Sequence, residues 1–118
     1  MQKKLFDSEL KLMEMVWENE PVSAKELSII ASERIGWNKN TTYTVIKKLV
    51  EKKMIHRSEP GFICTSLISK DDVRKAETEG LIKRLYNGSK KALFSALIED
   101  ETLSEAELDE LRKMLEKR

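Results

Sequence analysis

The placement of helix-breaking residues constrains this chain more than any other feature. Glycine and proline together number six in 118 residues, about half the usual share, so most of the chain is free to run as helix. Asn19-Glu20-Pro21 stops a first amphipathic segment, in which Leu10, Met13 and Trp17 recur at i, i+3 and i+7 and which Asp7 or Ser8 can cap. Ser23 and Glu26 stand in capping-box spacing and open a second helix, with Leu27, Ile30 and Ala31 as its apolar stripe and Gly36 at its end. Asn38 or Asn40 can cap a third helix running to about Lys53, whose inward side is Thr42, Val45, Ile46, Leu49 and Val50. Three short helices, the second and third separated by a few residues including a glycine, have the outline of a helix-turn-helix.

The period then changes. Ile55 and Arg57, then Phe62 and Cys64, alternate with polar or smaller residues on either side of Ser58-Glu59-Pro60-Gly61, which is a hairpin signal. A hairpin directly after the third helix is a wing. Ser69 with Asp72 marks the start of a fourth helix carrying Leu81, Ile82, Leu85 and Tyr86, broken by Asn87-Gly88. A fifth holds Leu93, Phe94, Leu97 and Ile98, and a second capping box, Ser104 with Glu107, opens a last helix with Leu108, Leu111 and Leu115. The expected fold is mainly α with a small β-hairpin wing. A winged helix-turn-helix fills residues 1–68, a helical region fills 69–118, and the architecture changes near Ser66–Lys70.

Several classes are excluded. The single cysteine, Cys64, cannot form an internal bridge, and no apolar run is long enough to cross a bilayer. The opening Met1-Gln2-Lys3-Lys4 is basic but lacks the apolar stretch of a signal peptide. These features fit a cytoplasmic protein without membrane insertion. No catalytic constellation is present. The one histidine, His56, lies in the wing, where a structural or solvated role is expected, and no glycine-rich phosphate loop occurs. Cys64 and His56 are eight apart with no further ligand joining them, so neither a metal nor a cofactor is expected. Cys64 on an alternating strand reads as a small core residue.

Charge is distributed unevenly although the net value is +1. Between Arg34 and Arg57 stand seven bases (Arg34, Lys39, Lys47, Lys48, Lys52, Lys53, Arg57) and one acid, Glu51; from Ala96 onward eight acids face four bases. A basic middle can dock on phosphates while an acidic tail stays clear of them. The third helix carries the specific signal. Val45, Ile46 and Leu49 face inward, leaving Asn40, Thr41, Tyr43, Thr44, Lys47 and Lys48 outside. Short hydroxyl and amide side chains at the N-terminal end suit base edges in the major groove, and lysines a turn or two later suit phosphates. From the residues alone, an ordinary amphipathic helix with a polar outer face stays open.

The order and spacing of several short motifs resemble the BlaI/MecI/CopY family of bacterial repressors, the penicillinase-repressor type, across nearly the whole chain. The likeness is carried by Asp7-Ser8-Glu9-Leu10 and Met15-Val16-Trp17. It continues through Trp37-Asn38-Lys39-Asn40-Thr41, Tyr43-Thr44 and Lys47-Lys48-Leu49, then Phe62, Tyr86-Asn87-Gly88, Leu103-Ser104 and Glu107-Leu108. The resemblance implies repression as a homodimer at pseudo-palindromic operators in double-stranded DNA, with genes of β-lactam resistance or copper handling as targets. On this reading Thr41, Tyr43 and Thr44 read bases, and Lys39, Asn40, Lys47 and Lys48 hold phosphates. Leu81, Leu85, Phe94, Leu97, Leu108 and Leu111 form the dimer seam, since so short a chain has little other core to cover them. The β-lactam-responsive members are cut in the fifth helix at an asparagine–phenylalanine bond, where this chain has Ala96-Leu97, and they answer to a membrane sensor-protease. This chain also differs from the family at Lys53 (usually glycine), at Glu59 (usually a base near the wing tip) and at Cys64 (usually tyrosine), and it lacks the cysteine-rich tail of copper-responsive members. Two alternatives are a family member answering to a metal or small ligand, and a winged helix serving as a protein-interaction module.

Overall fold

The computed structural model describes residues 5–100 and 103–117. The basic opening at residues 1–4, and Glu101 and Arg118 of the charge balance, lie outside the described residues. Six helices and three strands follow in the order α1 (Asp7–Asn19), β1 (Val22–Ser23), α2 (Ala24–Ile35), α3 (Lys39–Glu51), β2 (Ile55–Ser58), β3 (Ile63–Ser66), α4 (Lys70–Tyr86), α5 (Lys90–Glu99) and α6 (Glu105–Glu116). They form two compact units, Met1–Lys75 and Ala76–Arg118. Helix α4 begins at Lys70, whereas the two units divide after Lys75. Its first turn still belongs to the first unit, because Val73 is buried in that unit's core.

The first unit packs α1, α2 and α3 around one apolar core. Leu12, Met13 and Val16 of α1 meet Leu27 and Ala31 of α2, Ile46 and Leu49 of α3, and Ile55 and Cys64 of the sheet. All are essentially inaccessible to water, and such burial is the main source of the unit's stability. The strands make an antiparallel sheet in the order β1-β3-β2. The hairpin was expected, but β1 was not. Its two residues pair with Cys64 and Ile63 across 40 or more positions of sequence, a link no local pattern announces. Phe62 lies in the turn rather than in a strand, with φ of 51°. Trp17 fixes the start of α4 by donating its ring N–H to the Ile68 carbonyl at 3.0 Å. Glu20 holds the end of β3 by accepting the Ser66 N–H at 2.8 Å and its hydroxyl.

Helix termini follow the sequence with two adjustments. Ser23, Ser69, Ser89 and Ser104 each accept a backbone N–H three residues on, as N-caps do. At α1 neither Asp7 nor Ser8 is the cap. Glu9 reaches back instead and accepts the Phe6 N–H at 2.8 Å. The same buried carboxylate takes the Lys52 ammonium at 2.7 Å, tying the start of α1 to the end of α3. Helix α3 stops at Glu51, two residues short of expectation. Lys53 turns left-handed with φ of 62°, while the Met54 N–H bonds the Leu49 carbonyl at 2.9 Å and the Lys53 N–H bonds that of Val50 at 3.0 Å. This is a Schellman turn, with the buried Met54 and Leu49 as its apolar pair.

The second unit holds the rest of α4 with α5 and α6. Ile82 is buried, and Leu81, Leu108 and Leu111 are half-buried. Leu85, Phe94 and Leu97 are 68%, 38% and 50% exposed. Among the described residues no helix is long and apolar enough to cross a membrane, and no group of potential ligands could hold a metal ion.

Candidate nucleic-acid interface

Helix α3 is positioned by its own cap and by its buried side. Asn38, not Asn40, is the N-cap, and its side chain accepts the Thr41 N–H at 2.8 Å. The buried Thr42 satisfies its hydroxyl on the Asn38 carbonyl at 3.1 Å, while Val45, Ile46 and Leu49 seat the helix in the core. That packing turns Lys39, Asn40, Thr41, Thr44, Lys47 and Lys48 outward together, all exposed, with Tyr43 half-buried at the margin.

The polar groups of this face differ in what they leave available. The Thr44 hydroxyl donates to the Asn40 carbonyl at 2.8 Å. Its oxygen therefore remains as an acceptor, and its methyl group is free for apolar contact. The Lys39 ammonium lies 5.7 Å from the centre of the Tyr43 ring, within cation–π range. The first turn of α3 holds no acidic residue, so the positive end of the helix dipole is unopposed there.

The seven bases of the middle segment are not equivalent. Arg34 pairs with Glu18, Lys52 with Glu9 and Arg57 with Glu59. Among the described residues, Lys39, Lys47, Lys48 and Lys53 have no carboxylate within 4.0 Å. The unneutralised charge thus concentrates on α3 and just past its end. Sequence distance hid this division, since Lys52 and Glu9 are 43 positions apart.

The hairpin adds residues that reasoning from sequence did not select. The Arg57 Nε donates to Glu59 at 2.6 Å, and its guanidinium lies 3.6 Å over the Phe62 ring. The Arg57 hydrogen bond holds the Glu59 carboxyl below its usual range. Phe62 stands edge-on to Tyr43, with 6.1 Å between ring centres. The Pro60-Gly61 turn was the available signal, since it folds positions 57, 59 and 62 onto one another. His56 is exposed on β2, and Cys64 is fully buried, its thiol pushed up to about 11 by burial. A buried thiol of this kind is an inert core residue.

A helix-turn-helix followed by a hairpin wing, with a cationic and hydroxyl-rich face on its third helix, defines a winged-helix protein of the DNA-binding type. The family model described as penicillinase repressor matches residues 5–117. The penicillinase repressor of Bacillus licheniformis is 25% identical over 115 residues, covering 96% of this chain and 90% of that protein. The penicillinase repressor of Staphylococcus aureus is 29% identical over 110 residues, covering 92% and 87%. The methicillin resistance regulatory protein MecI of Staphylococcus aureus (strain N315) is 26% identical over 117 residues, covering 98% and 95%. Among solved structures, the solution structure of the DNA binding domain of the repressor BlaI superimposes with a TM-score of 0.55 at 25% identity, covering 61% of this chain and 93% of that one. The chain belongs to the penicillinase repressor family.

Proposed function

We propose that this protein is a transcriptional repressor, a binding protein rather than an enzyme, that acts in the cytoplasm as a homodimer on a pseudo-palindromic operator. The observation that carries this reading is the outer face of α3, where, among the described residues, Lys39, Lys47 and Lys48 have no carboxylate within 4.0 Å and stand beside the exposed Asn40, Thr41 and Thr44. Thr41, Tyr43 and Thr44 read base edges, while Lys39, Asn40, Lys47 and Lys48 hold phosphates and set the register. Two such helices in a two-fold dimer meet half-sites one DNA turn or a multiple of it apart.

The dimer is supported by the second unit, whose Leu85, Phe94 and Leu97 expose apolar surface that a second copy would cover. With Leu81, Leu108 and Leu111 these residues make the seam. The names of the relatives point to genes of β-lactam resistance as the regulated set. Release follows from the avidity of two linked half-sites. A cut in α5 between Ala96 and Leu97, made through a membrane sensor-protease system, removes α6 and part of the seam, and each winged helix then binds alone.

Titration of the protein against duplex DNA at several salt concentrations tests the reading. Phosphate contacts release counterions, so affinity should fall steeply with salt, by a slope of about 0.9 per phosphate neutralised. Binding that ignores salt, or no binding, contradicts it.

A further inference from the structure

Arg57 is the only lysine or arginine in the hairpin between Ile55 and Ser66. Its side chain is engaged within the hairpin itself. Its Nε donates to Glu59 at 2.6 Å, and the flat of its guanidinium rests 3.6 Å over the Phe62 ring. The carboxylate is itself anchored to the turn, because its other oxygen accepts the Phe62 N–H at 3.4 Å. Both partners are exposed, with side chains 44% and 56% accessible. The pair therefore lies within reach of an incoming strand and plays no part in the core. Contacts of 3.6 and 6.1 Å lead from the guanidinium to Phe62 and from Phe62 to Tyr43, placing the arginine beside the outer face of α3.

A paired arginine brings no net charge to a phosphate, and so gains little from counterion release until the carboxylate is displaced. Displacement has to be driven by something else. Docking of α3 in an operator groove would supply that drive by bringing the adjacent backbone against the wing. On random DNA the docking is weaker, and Glu59 keeps Arg57.

We propose that Glu59 is a specificity-determining residue. By occupying Arg57 it reserves the wing's phosphate contact for DNA already held by α3, and so suppresses binding to random sequence more than binding to operator. The inference rests on the DNA-binding reading of α3.

The test is a double-mutant cycle with Glu59→Gln and Arg57→Ala in the full chain, titrated against operator and random duplexes over a range of salt. Glu59→Gln should raise affinity for random DNA several-fold and steepen its salt slope by about 0.9 per bound protomer. The operator should gain less, so the ratio between the two DNAs falls. Arg57→Ala should cost several-fold more in the Glu59→Gln background than alone, because only there is the arginine fully engaged. Two results overturn the proposal: additive effects of the two substitutions, which would mean that Glu59 merely repels phosphates, or unchanged affinity and slope in Glu59→Gln. A wild-type chain that binds neither duplex overturns the DNA-binding reading itself, and this proposal with it.

Discussion

Tyr43 and Phe62 meet edge to face, their ring planes 88° apart and their centres separated by 6.1 Å. One ring belongs to α3 and the other to the turn of the hairpin, so this pair joins the third helix to the wing. Arg57 rests on the far partner and Lys39 on the near one. A pair of rings with a cation at each end thus runs from the helix onto the hairpin.

The first prediction concerns that joint. Tyr43→Leu and Phe62→Leu keep apolar bulk but remove the ring geometry. Their combined effect on unfolding by denaturant should show a coupling of about 0.5–1.5 kcal/mol. Strictly additive losses would mean that the rings are neighbours without mutual support.

Lys53 offers a gain of stability. Its φ of 62° closes the Schellman turn after α3, a conformation that costs a residue with a β-carbon roughly 1–2 kcal/mol. Lys53→Gly removes that strain but loses chain entropy of roughly 0.5–1 kcal/mol. The variant should be more stable by about 0.5–1 kcal/mol in denaturant titrations. A less stable variant would contradict the assigned geometry.

Local signals and distant pairings divide what the sequence made legible. The caps at Ser23, Asn38, Ser69, Ser89 and Ser104 are settled within one turn of chain, and the helices they start were readable apart from small shifts at their ends. The polar face of α3 was readable for the same reason, since its helical period alone separates Thr44 and Lys48 from Val45 and Leu49. Apart from the Arg57–Glu59–Phe62 cluster of the hairpin, what escaped reading depends on separation. β1 exists only through β3, and Glu9, legible only as one residue of the Asp7–Leu10 motif, neutralises Lys52 from 43 positions away. The basic segment therefore looked more uniform than it is.

Leu97 is 50% exposed on α5 and contributes little to the core of its own unit. Leu97→Glu should therefore leave helical content unchanged while placing a charge in each half of the proposed seam. Sedimentation should report monomers at concentrations where the wild type is dimeric. A dimer of undiminished strength would move the seam elsewhere.

Cys64 sets a pH limit on stability. Burial raises its thiol from 9.0 to about 11. Between those values the unfolded chain loses this proton more readily than the folded one, so the stability due to the neutral thiol is full below pH 9 and declines as pH rises toward 11. Cys64→Ala should flatten this part of the stability profile when unfolding is followed from pH 8 upward. An identical decline in both proteins would assign the effect to other groups.

One set of titrations tests the division of labour along α3. Wild type, Thr44→Ala and Lys48→Ala are each titrated against operator and random duplex at several salt concentrations. Lys48→Ala should weaken both DNAs alike and reduce the salt slope by about one per bound protomer. Thr44→Ala should spare random DNA and cost roughly 1–3 kcal/mol of discrimination on the operator. Equal losses on both DNAs for Thr44→Ala, or an unchanged salt slope for Lys48→Ala, would contradict the account.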